Sequence, residues 1–188
     1  MKLRFKPLSR ETWNEFEELF GEKGGCAGCW CMFWRIPGKQ FDTNESSDNK
    51  KLMKRLVTKG GRPGIIAFDG DRAVGWCSFS PREEYTRLER SRILRPVDDK
   101  EVWSVSCFFI DRNYRGKGVA TSLLSAAVRA AKKRGAKILE GYPVEPKDGK
   151  QYPPAFAWHG VPAIFKSAGF KEVARRSPTR PIMRLELR

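Results

Sequence analysis

Residues 102–110 collect β-branched and aromatic side chains (Val102, Val105, Phe108, Phe109, Ile110) and then break at a polar turn, residues 111–115. This pattern predicts a strand that ends in a turn. Just beyond it, Val119, Leu123, Leu124, Ala127, Val128 and Ala131 recur at helical spacing and make one apolar face. The basic run Arg115-Gly116-Lys117-Gly118-Val119-Ala120 therefore sits where a strand hands over to a helix N-terminus.

The same reading along the rest of the chain predicts a strand at residues 3–8 and a helix over 10–20 capped by Ser9. Trp13, Phe16, Leu19 and Phe20 share a face of that helix, and Gly21 ends it. A second helix runs from Ser47 through Leu52, Leu56 and Val57 to Gly60-Gly61. Strands at 64–68 and 73–80 are joined at the turn Asp69-Gly70. Residues 83–93 are highly charged, with helical character, and read as a mobile excursion over the site. A strand at 137–142, a Pro-rich loop at 143–154 and a short helix at 161–167 ending at Gly169 follow. Strands at 172–174 and 182–187 close the chain.

Composition narrows the class. At 188 residues, with 40% hydrophobic and 31% charged, the expectation is one globular domain, residues 1–188, able to bury a real core. No apolar run approaches the roughly 18 residues that cross a bilayer. The first residues, Met1-Lys2-Leu3-Arg4-Phe5-Lys6-Pro7, carry charge but no apolar stretch of a secretory signal. The expectation is a soluble protein with no membrane partner, monomeric or homodimeric. Five cysteines, an odd number with two in predicted strands, suit reduced thiols in a cytoplasm. The net charge of +15 favours anionic and phosphorylated ligands. Its basic residues are scattered rather than aligned in a stripe, which argues for solvated faces over a nucleic-acid surface.

Gly116 and Gly118 let the backbone approach a ligand closely. The first-turn N–H groups of the following helix lack intrahelical partners, and the helix dipole, Arg115 and Lys117 add positive potential. The segment is built as a phosphate cradle. It is neither GxxxxGK[ST], because no Ser or Thr follows Lys117, nor GxGxxG, because Thr121 holds the third glycine position. It resembles the pyrophosphate-binding motif R-x-x-G-x-[GA] of the GNAT acyltransferase superfamily, matched by Arg115, Gly118 and Ala120. Residues 163–170 resemble that family's late A-x-x-[YF]-x-x-x-G-F segment, and the order of predicted elements is similar over residues 3–187. The resemblance implies an α/β (α+β) fold: a GNAT-like mixed, mostly antiparallel twisted sheet with helices on both faces. It also implies acetyl-coenzyme A as acyl donor and an amine, small molecule or protein, as acceptor. The donor would be held by Phe108, Phe109 and Ile110 at the end of a splayed strand and by Arg115, Gly116, Lys117, Gly118, Val119, Ala120 and Thr121 in the loop.

In that chemistry an amine attacks the thioester carbonyl and must lose a proton. Many relatives supply a tyrosine from the late helix to protonate the leaving thiolate; here that position is Phe165. The candidates to replace it are Glu140, as base or as a salt-bridged carboxylate, and Tyr142 and Tyr152, as acid or as pocket wall. His159, the lone histidine, is either a base or a structural side chain, and Glu101 is a weaker candidate. Cys26, Cys29 and Cys31, in C-x2-C-x-C spacing, invite a zinc reading but lack a fourth ligand nearby. The expectation is no metal, with Cys29, Trp30, Cys31 and Trp34 lining an acceptor pocket. Two readings therefore stand: an N-acetyltransferase, or a non-catalytic coenzyme A- or polyanion-binding module on the same fold.

Overall fold

The computed structural model describes residues 1–146 and 157–187. Tyr152 and most of the Pro-rich loop lie outside them. Seven strands form one sheet: β1 (Leu3–Pro7), β2 (Gly64–Asp69), β3 (Arg72–Pro81), β4 (Trp103–Ile110), β5 (Ile138–Gly141), β6 (Lys171–Arg175) and β7 (Pro181–Glu186), in the order β1-β2-β3-β4-β5-β7-β6. Every neighbouring pair is antiparallel except β4 and β5, which run parallel.

Helices cover both faces. On one side lie α1 (Trp13–Phe20), α2 (Gly38–Thr43) and α3 (Ser46–Thr58); on the other, α5 (Val119–Lys133) and α6 (Pro162–Ser167); a short α4 (Thr86–Glu89) stands beyond the end of β3. The period of two along β2 divides the core: Ile65 and Ala67 pack with Leu123, Leu124 and Ala127 of α5, whereas Ile66 and Phe68 pack with Trp13, Phe16 and Phe20 of α1. Residues 119–131 thus make the predicted apolar helix face.

Three local expectations change. Residues 10–12 form a 3-10 turn before α1, with the Ser9 N–H donating to Thr12 Oγ1 at 3.0 Å. The second predicted helix begins at Ser46 and is preceded by α2, which the apolar pattern does not announce. Residues 83–93 are not a loose excursion. Tyr85, Leu88 and Leu94 are fully buried with Tyr142 and Ile182 in a cluster of their own.

Two cavities that meet at the end of β4

Strands β4 and β5 pair only over Trp103–Leu139, Ser104–Glu140 and Val105–Gly141, and then diverge. Residues 158–160 enter the gap: Phe108 N–H donates to the Trp158 carbonyl at 2.6 Å, and Val144 N–H donates to Gly160 O at 3.0 Å. Side-chain packing fills the deep end. Phe165 is fully buried, edge-on to Phe108 at 6.1 Å and so close to Gly141 that a Cβ there would stand 2.1 Å from its ring. The ring at the position of the family's tyrosine is a packing element of the splayed strands.

Backbone direction alternates along β4, so the amides of Phe108 and Ile110 face the open edge while that of Phe109 faces β3. The backbone hydrogen bonds expected from Phe108 to Ile110 are therefore not all open to a ligand. Phe108 N–H is used by Trp158 and Phe109 N–H points into the sheet, which leaves Ile110.

A groove of about 650 Å³ runs past this edge. Phe108, Phe109, Ile110, Arg115, Gly116, Gly118, Val119, Ala120 and Thr121 line one side, and Trp158, Gly160, Val161 and Ile164 the other. Lys117 is the exception among the predicted cradle residues: it is exposed, and its ammonium stands 5.5 Å from the Tyr114 ring. Gly116 and Gly118 have φ of +73° and +76°, a region that penalises any side chain, and a Cβ on either would meet no protein atom. Gly118 is the N-cap of α5, so the N–H groups of the first turn open onto the groove. Arg115 is held beside it by donation of its Nε to Ile110 O at 3.2 Å. A pyrophosphate fits this set of donors and cations.

The second cavity, about 210 Å³, lies under the cysteine loop. Cys29, Cys31 and Trp34 line it, together with Phe20, Phe33, Phe41 and Ser106. Trp30 does not. It is 2% exposed, stacked on Phe20 at 5.5 Å, and its indole N–H donates to Ser46 Oγ at 3.0 Å. The loop is held in an uncommon shape, with Ala27, Trp30 and Cys31 at φ of 51°, 42° and 57°. Trp76 fixes it from below through an Nε1 bond to Cys31 Sγ at 2.9 Å, and Asn49 through a bond to Gly28 O at 3.0 Å. Burial, with Cys31 nearby, pushes the Cys29 thiol up to about 12. Among the described residues no three His, Cys, Asp or Glu side chains converge as a metal site. The two cavities share Cys26, Phe108, Phe109 and Trp158.

The candidate acid–base groups are elsewhere. Glu140 is fully buried, and its oxygens accept from Arg82 Nη1 at 3.0 Å, Arg184 Nε at 2.6 Å and Tyr142 OH at 2.7 Å. Tyr142 is also fully buried, bonded to Arg82 and to Ser104, and burial followed by the Glu140 charge pushes its phenol well above the ordinary value. Neither residue lines either cavity. Both belong to an ion-pair network that ties β5 to β7 and to the segment around α4. Signals for this were present in Arg82 and Arg184, but their partners lie 58 and 44 residues away.

His159 is 4% exposed and stacks on Trp158 at 3.7 Å. Burial, with Arg180 adding to it, lowers its pKa well below the ordinary value, against a hydrogen bond with the Ser106 backbone. The ring is neutral at pH 7. Its Nδ1 has no hydrogen-bond partner among the described residues. Glu101 is exposed, ahead of β4.

Residues 27–146, more than half of the chain, match the acetyltransferase (GNAT) family. An uncharacterised N-acetyltransferase of Methanocaldococcus jannaschii is 39% identical over 44 residues, 23% of this chain and 20% of that protein, so the match spans a fifth of that relative. Among solved structures, an N-acetyltransferase from Staphylococcus aureus Mu50 superimposes with a TM-score of 0.57 at 13% identity, covering all of both chains. The PaiA N-acetyltransferase of Thermoplasma acidophilum, solved in complex with coenzyme A, gives 0.54 at 15% identity over 99% of each chain. At these identities the structures establish likeness of fold. No helix among the described residues is long and apolar enough to cross a membrane.

Proposed function

The chain belongs to the GNAT acetyltransferase family, and from that premise we propose that it moves an acetyl group from acetyl-coenzyme A to a primary amine. The observation that carries this reading is the junction: a groove with a glycine- and arginine-lined helix N-terminus meets a second, smaller cavity at Cys26, Phe108, Phe109 and Trp158. A module that only bound coenzyme A would need the first cavity and not the second.

The donor, when bound, supplies an activated acetyl thioester. Arg115 and the amides of Val119, Ala120 and Thr121 would hold its pyrophosphate, and Ile110 N–H its pantetheine arm. Phe108, Phe109 and Trp158 wall the junction with apolar rings. Glu140 is locked in ion pairs with Arg82 and Arg184, Tyr142 is hydrogen-bonded to Glu140, Arg82 and Ser104, and burial makes His159 a weak base. The acceptor therefore loses its ammonium proton to water before attack. The coenzyme A thiolate is a good leaving group, takes up the proton shed by the attacking amine, and needs no protein acid.

The test is thiol release from acetyl-coenzyme A with a panel of primary amines, alongside calorimetry of coenzyme A binding. Release that depends on an amine supports the reading. Binding without release across the panel would establish the non-catalytic alternative.

A further inference from the structure

The acceptor cavity has a chemical bias of its own. Its described lining holds aromatic rings, thiols, one alanine and one serine, and no Asp, Glu, Lys, Arg or His. The charge placed against its wall is a cation: the Arg87 guanidinium lies 4.0 Å from the Phe33 ring and 5.9 Å from that of Phe41. A second ammonium on an acceptor would find no carboxylate in that lining and would approach a protein of net charge +15.

The rings are already set against one another. Phe33 meets Phe41 and Trp158 edge-on, both at 5.3 Å, and Phe20 stacks on Phe109 at 4.8 Å. Such an assembly leaves edges and faces in fixed positions for one more ring. The volume, about 210 Å³, exceeds the roughly 150 Å³ cavity that accepts benzene. It suits one ring on a short linker. The junction with the groove then receives the amine end.

We infer that the acceptor is a primary amine bearing one aromatic ring on a short linker, with no second charge; polyamines and lysine side chains of peptides are excluded. The inference rests on the acetyltransferase reading above. In the reaction the amine nitrogen bonds to the acetyl carbon, the carbon–sulfur bond breaks, and one N–H proton of the neutral amine ends on sulfur.

The experiment compares kcat/KM for 2-phenylethylamine, hexylamine, spermidine, phenylalanine and a lysine-containing peptide by thiol release. 2-Phenylethylamine is expected to exceed hexylamine by about fivefold and spermidine, phenylalanine and the peptide by more than about tenfold. Phe33→Leu keeps the wall apolar but removes a ring. It should lower the 2-phenylethylamine value about fivefold while changing hexylamine less than about twofold. Equal or better turnover of spermidine or the peptide overturns the inference and leaves the acetyltransferase reading standing, as does an equal loss on both amines in Phe33→Leu. No thiol release with any amine removes both.

Discussion

Glu140 shows what a single residue reveals and conceals. A carboxylate on a predicted strand beside a cleft reads as a base in sequence, but sequence carries no record of Arg82 and Arg184, which close on it from distant segments. Removing its charge would leave two guanidinium groups, each under 10% exposed, with only the exposed carboxylates Glu89 and Asp98 as counter-ions. Glu140→Gln should therefore cost about 3–5 kcal/mol in denaturant unfolding, with near-normal turnover in the protein that remains folded. Loss of kcat at unchanged stability would restore it as a catalytic residue.

His159 should show itself in stability. Its folded-state pKa is depressed, so below about pH 6.5 the unfolded chain takes up a proton that the folded chain refuses. Wild-type stability should fall as pH drops through that window and level off above it, and His159→Gln should lack that part of the slope. In the rate, kcat/KM should rise with pH up to the pKa of whichever amine is used. An inflection fixed at one pH for every amine would point to a protein group, His159 among them.

At the scale of elements, the segments with long, regular apolar spacing were legible: the β2–β3 hairpin, α1 and above all the β4-to-α5 passage with its glycines. Those whose form depends on neighbours were not. Helix α2 buries none of its residues and so carries no apolar signal, and α4 is short, anchored mainly by Leu88 and the flanking Tyr85. Trp30 and Trp34 stand in the same aromatic run, yet one faces the α1 core and the other the cavity, because the strained turn between them is set by Trp76 and Asn49. The glycine passage itself is open to test. Gly118→Leu imposes a side chain at φ +76° where the groove is otherwise empty, and coenzyme A affinity should fall by more than about tenfold in calorimetry. Unchanged affinity in the folded variant would move the donor elsewhere. The cysteine loop offers another test: Cys26 is exposed at the junction, so its alkylation by iodoacetamide should stop turnover, and Cys26→Ser should be active and resistant.

On the whole-molecule scale the sheet does one thing for function: it lets β4 and β5 part after three paired residues. The resemblance to the GNAT family foreshadowed that splay. It did not foreshadow the insertion of residues 158–160, which takes up the Phe108 amide and supplies one wall of the groove. The same insertion supplies Trp158, one of the three rings common to both cavities, and so helps define where donor and acceptor would meet. That meeting point is tested by a conjugate in which the sulfur of coenzyme A is joined through an acetyl-length bridge to the nitrogen of the best acceptor amine. If the cavities are continuous through Cys26, Phe108, Phe109 and Trp158, the conjugate should bind at least about tenfold more tightly than coenzyme A in calorimetry, since one molecule then fills both. Affinity no greater than that of coenzyme A alone would contradict the account.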